Sequence, residues 1–192
     1  MDYFVWDTGG NVDDPTLCFI DDPPEGMGLH AAKLSLGKPA KPYMPEDPRI
    51  VLRKENPGLA LPGFIGNTRG MLIFSRAGLD VIEQLCKGQS YEVFPFSLID
   101  HKKRVHTADY VIVNPLDMVE CLDDAASGVE RDEHGEIESV GKLVLSRSKV
   151  ENAPHMFRIK EKRVKTVFSE ALGKAFVAAG VTNVRGTRLP QV

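Results

Sequence analysis

One pattern occurs twice in this chain and constrains its fold more than any other feature: an apolar strand ending in Phe-Ser, a helix opened by that serine, and a short return strand. The first copy is Met71-Leu72-Ile73-Phe74-Ser75, then residues 76–87, then Tyr91-Glu92-Val93-Phe94-Pro95. The second is Lys165-Thr166-Val167-Phe168-Ser169, then residues 170–180, then a return over 181–189. Apolar residues recur at helical spacing in both, as Leu79, Ile82 and Leu85 and as Leu172, Phe176 and Ala179. Ser75 and Ser169 stand where a hydroxyl can accept a bond from a first-turn N–H that has no partner within its helix. Both therefore read as structural caps and not as nucleophiles.

Around this doublet the chain reads as one domain over 1–192, with a proline-rich part at 1–60 and the main part at 61–192. Turn-makers crowd the first part, among them Gly9-Gly10-Asn11, Asp22-Pro23-Pro24, Pro39, Pro42, Pro45 and Pro48. Only short strands fit between them, at Tyr3–Trp6, 17–20 and 50–52, and residues 36–47 read as an extended surface excursion. Further on, 91–99 and 108–113 form a hairpin signal across the polar loop Asp100-His101-Lys102-Lys103-Arg104. A second hairpin is expected over 129–146, with turn candidates at His134-Gly135 and Val140-Gly141, and a third pairs 156–160 with 165–168. The expected fold is α+β, mostly antiparallel sheet with two principal helices and a strand-helix-strand pseudo-repeat.

No stretch approaches the roughly 20 apolar residues of a membrane-spanning helix. The start carries Asp2, Asp7, Asp13 and Asp14 where a signal peptide would be basic and then apolar. Cys18, Cys86 and Cys121 are far apart, which indicates neither a disulfide framework nor a zinc site. A reduced, cytoplasmic setting without membrane contact is expected.

Charge is segregated although the chain as a whole carries only −3. Residues 117–140 hold nine acids and one base, Arg131, for a net −8; residues 141–192 hold eleven bases and three acids, for +8. Such runs are often solvated faces that steady one another, and the alternative is recognition of a partner.

Signals for chemistry are weaker. His30 and His155 lie apart from acids, His101 and His106 flank a basic loop and His134 sits at a predicted turn, so all five read as structural or solvated. The pairs Asp13-Asp14, Asp21-Asp22 and Asp123-Asp124 offer carboxylates to a hard cation, the basis of an alternative reading as a metal-dependent hydrolase, although adjacent acids more often cap and turn. The basic run Arg158-Ile159-Lys160-Glu161-Lys162-Arg163-Val164-Lys165 could meet phosphates, the basis of a second alternative, a nucleic-acid-binding module. Few aromatic residues accompany it for base stacking. No catalytic residue, metal ligand or cofactor is assigned, and the main reading is a non-enzymatic protein that does not bind nucleic acid.

The doublet carries a resemblance. The unit from Leu72 to Leu85, followed by Val93-Phe94-Pro95, then Tyr110-Val111-Ile112-Val113-Asn114-Pro115, then His155-Met156-Phe157-Arg158-Ile159 leading into Val167-Phe168-Ser169, resembles immunity protein family eleven of bacterial polymorphic toxin systems. The likeness covers roughly residues 62–189. It implies a small cytoplasmic protein, encoded beside a secreted toxin, that binds that cognate toxin and neutralises it, nucleases being frequent toxins in such systems. The charge map adds a physical argument: a nuclease presents a basic surface to phosphates, so an acidic surface on its inhibitor steers association. The partner-binding candidates are Asp123, Asp124, Glu130, Asp132, Glu133, Glu136 and Glu138.

Overall fold

The computed structural model describes all 192 residues. Its strands are β1 (Tyr3–Trp6), β2 (Phe19–Ile20), β3 (Arg49–Val51), β4 (Gly66–Asn67), β5 (Leu72–Ser75), β6 (Tyr91–Ile99), β7 (Val105–Pro115), β8 (Met118–Val119), β9 (Val129–Arg131), β10 (Ile137–Val140), β11 (Met156–Ile159), β12 (Thr166–Ser169) and β13 (Gly186–Arg188). The helices are α1 (Ala32–Leu36), α2 (Arg76–Leu85), α3 (Asp124–Ser127), α4 (Arg147–Val150) and α5 (Glu170–Ala178). Pairing is mostly antiparallel, and the fold is α+β as the sequence predicts.

Two sheets organise the molecule, one in the order β3-β6-β7-β5 and the other β13-β1-β12-β11-β8. Each contains one copy of the repeated unit. In the first, β7 lies between β5 and β6 and runs antiparallel to both; in the second, β1 stands in the same relation to β12 and β13. Both copies are thus split β-α-β units, parallel strands joined through a helix with an antiparallel strand inserted between them. The inserted strand follows its unit in the first copy and comes from the N-terminus in the second.

Continuous apolar runs explain why β5, β11 and β12 are buried on both faces. Strand side chains alternate between faces, so Phe74 and Leu72 reach one core while Ile73 reaches another. The first core lies around α2 and α5 and joins Trp6, Phe74, Leu79, Ile82, Phe168, Leu172 and Phe176; the Phe74 and Phe176 rings stack at 5.3 Å. The second sits under the proline-rich part, where Cys18, Ile20, Met27, Leu34, Ile50 and Leu52 cover Ile73, Phe94, Phe96 and Ile112. The third joins Tyr3, Phe157, Ile159 and Val167 to Cys121, Leu122 and Leu145.

Several local expectations change. Residues 36–47 are not an open excursion: α1 ends within them, a 3-10 turn occupies Lys41–Tyr43, and Ala40 is fully buried. Ala179 does not join the buried face of α5, because the helix stops at Ala178 before Gly180 at φ +68°. The acidic hairpin is confined to 129–140, with Gly135 at φ +79° in its turn, and Val140-Gly141 is not a hairpin turn.

The basic run is also rearranged. Arg158 points inward and is fully buried. Its Nε donates to Pro115 O at 3.2 Å, Nη2 to Leu34 O at 2.8 Å, and Nη1 to Ser35 O at 2.7 Å and Arg163 O at 3.2 Å. Burial pushes its pKa down to about 10, which leaves it charged at neutral pH. Gly37 adjoins it at φ +62°, and a Cβ there would fall 2.4 Å from Arg158 Cδ, so glycine is required for this approach.

Candidate functional site

The acidic candidates gather around α3 and the β9–β10 hairpin, which lies beside the 3-10 turn Lys160–Lys162. Asp123 is the N-cap of α3 and accepts from Ala126 N at 2.8 Å. Asp124 pairs with Arg131 at 3.1 Å and with Lys149 at 3.7 Å. Asp132 closes the hairpin, its carboxylate accepting from His134 N at 2.9 Å and Glu136 N at 2.8 Å, the local bonding that makes Asp a turn residue. Glu130 accepts from Ser139 Oγ at 2.6 Å. Glu133 is 87% exposed, with only the His134 ring nearby at 3.5 Å, and Glu136 and Glu138 also project into solvent. Four of the seven acids thus hold local structure, and Glu133, Glu136 and Glu138 are the ones free to meet a partner.

Part of the opposite charge in the C-terminal segment lies against this region. Glu120 pairs with Lys160 at 3.0 Å and Lys149 at 3.8 Å, and the Lys160 hydrogen bond and charge hold its carboxyl below the usual range. Asp117 accepts from Ser90 N at 2.9 Å. Glu161 turns inward to accept from Cys121 N and Leu122 N. With Arg158 buried and Lys160 paired, the run at 158–165 does not form one basic face.

The other motifs resolve into structure. Ser169 is buried, and its hydroxyl accepts from Leu172 N at 3.2 Å while bonding His155 Nδ1 at 2.8 Å. Ser75 holds the same extended cap conformation but its hydroxyl makes no cap bond, contrary to expectation; it lacks the second partner that orients Ser169. The acid pairs are engaged singly: Asp14 accepts from Thr16, which lowers its pKa, Asp21 pairs with Arg53 at 2.9 Å and Asp22 with Arg69 at 3.0 Å. No three His, Cys, Asp or Glu side chains converge closely enough to hold a metal ion. All three cysteines are buried free thiols; burial raises Cys18 and Cys86 to about 11 and raises Cys121 further. No helix is long and apolar enough to cross a membrane.

Two split β-α-β units sharing a core, with an acidic hairpin projecting from the surface, define an α+β protein of mostly antiparallel sheet. The chain belongs to the immunity protein family Imm11, whose profile matches residues 5–189. No curated protein matches it. Family membership makes this an immunity protein and implies a cognate toxin as its partner.

Proposed function

We propose that the protein acts in the cytoplasm as a non-enzymatic, stoichiometric inhibitor, docking on its cognate toxin through the acidic hairpin. The observation that carries this reading is the geometry of the hairpin within an immunity-protein fold: Asp132 fixes the turn, and Glu133, Glu136 and Glu138 are left exposed around it. Asp123, Asp124 and Glu130 form the flank of that surface. Its charge suits a basic toxin, and a nuclease is the toxin class that must carry such a surface.

Reversal of Glu133, Glu136 and Glu138 to Lys tests the surface while sparing the Asp132 turn. Exposed charges act mainly on encounter, so association with the toxin encoded beside the gene should slow at least ~10-fold at low salt and lose much of its salt dependence. Folding should be almost unchanged. Unchanged association at low salt in the folded triple variant would assign the hairpin to solvent alone. Detection of turnover by the purified protein, or of salt-sensitive binding to DNA or RNA in gel shifts, would move the function to one of the two alternatives.

A further inference from the structure

The sheet β3-β6-β7-β5 contains a half-filled lane. β6 runs over nine residues, but β3 pairs with it only at Arg49↔Ser97, Ile50↔Leu98 and Val51↔Ile99. Ser97 N donates to Pro48 O and Leu52 N to Ile99 O, so the odd-numbered residues of β6 turn their backbone groups toward this edge. Alternation along a strand then directs the N–H and C=O of Tyr91 and Val93, and the C=O of Pro95, into the same lane upstream of β3. The chain that could fill it turns away there. Pro45 and Pro48 have no N–H to give a ladder, and Pro95 is itself of the kind tolerated only on an edge.

The segment that leads into β3 arches beside the empty lane and is fastened at both ends. At one end Glu92 accepts from Ala40 N at 2.8 Å and Lys41 N at 3.1 Å; at the other, Ser97 N holds Pro48 O at 2.9 Å. Between strap and strand lies a cleft of about 670 Å³, lined by Lys41, Met44, Pro45 and Glu46 on one side and Val93 and Pro95 on the other. That volume falls in the range of ligand-binding sites. A row of unpaired backbone groups at strand spacing selects an extended polypeptide, which such edges capture by adding it as a strand.

We propose that an extended segment of the cognate toxin occupies this lane, pairing with Tyr91, Val93 and Pro95 in continuation of β3. The inference rests on the toxin-binding reading above. The cleft is lined by three acids, Glu46, Asp47 and Glu92, against one base, Lys41, and that balance complements a basic segment.

The test uses the full chain and a catalytically inactivated form of the toxin encoded beside the gene. Hydrogen exchange of the Tyr91 and Val93 amides should be fast in the free protein and slow at least ~10-fold in the complex. Val93→Pro removes one donor from the lane at an edge position and should weaken toxin binding at least ~10-fold with the circular dichroism spectrum retained. A complex in which both amides exchange as in the free protein overturns the proposal, whatever the variant does, as does a folded variant that binds as tightly as the parent chain. Failure of the parent chain to bind the toxin at all would overturn the immunity reading and this one together.

Discussion

Replacing Arg158 tests how the proline-rich part is fastened to the rest of the molecule. The guanidinium is fully buried, and the contacts that compensate its charge are the backbone carbonyls of Leu34, Ser35, Pro115 and Arg163. Arg158→Met keeps the stem packing but strips these acceptors of their donor. A buried polar group left unpaired costs about 1–3 kcal/mol. The short bonds at 2.7 and 2.8 Å to the last turn of α1 carry most of the effect, because that helix has no further turn to supply N–H groups. A part of the loss is returned, since a charge no longer has to be desolvated. The expected net cost is about 3 kcal/mol by that accounting. At this chain length each kcal/mol moves the melting temperature by roughly 2–4 °C, so the midpoint should fall by about 6–12 °C. Arg158→Lys should cost as much, because an ammonium keeps the charge without the planar fork that reaches several carbonyls. Urea unfolding followed by circular dichroism measures both. A lysine variant within about 0.5 kcal/mol of the parent would refute the argument, since surface changes of no consequence fall in that range.

Three further outcomes follow from local geometry. Ser169→Ala should cost about 1–2 kcal/mol, whereas Ser75→Ala should cost far less, because only Ser169 makes the cap bond; chemical denaturation of the two variants compares them directly. The native protein should react with a thiol reagent at pH 8 only as fast as it opens, because burial raises the three thiols, and all three should react at once in denaturant. Asp100 accepts from Lys102 N, Arg104 N and the Arg104 guanidinium, and these bonds, the Arg104 backbone foremost, hold its pKa below the ordinary value of about 3.9. The unfolded chain therefore takes up the proton first as pH falls, so this contribution is complete above pH ~4 and is lost as pH drops through the folded value. Acid titrations of Asp100→Asn should show a shallower loss of stability in that window; an identical slope would remove Asp100 from the account.

The legible parts of this fold are those written in local pattern. Leu72-Ile73-Phe74 and Thr166-Val167-Phe168 are apolar on both faces, and their strands, the following helices and the 91–99 hairpin fell where the sequence predicts them. Asp132 and Gly135 likewise announce the turn that displays the acidic candidates. What local pattern cannot encode is which distant segments meet. Nothing in Tyr3–Trp6 says that it enters a sheet with β12 and β13, and nothing in the prolines of residues 39–48 says that they leave a lane beside β6 vacant. The basic run groups Arg158 with surface neighbours, although the contrary signal is local: it stands between Phe157 and Ile159 in a strand whose other residues are all apolar. Ser75 and Ser169 look alike in sequence and differ in bonding because His155, fourteen residues from Ser169, orients only one hydroxyl.

The position of β1 has a consequence in time. Strand β1 precedes β13 by about 180 residues, yet it lies between β12 and β13 in the sheet. The second split β-α-β unit therefore cannot close on the ribosome until β13 has emerged. At synthesis rates of about 5–20 residues per second, that places roughly 10–40 s between the synthesis of β1 and a completed sheet. Pairings of such long sequence separation also fold slowly once available. On the proposed inhibitor reading, protection therefore lags the synthesis of β1 by at least that interval, and a stock of finished inhibitor matters more than its rate of translation.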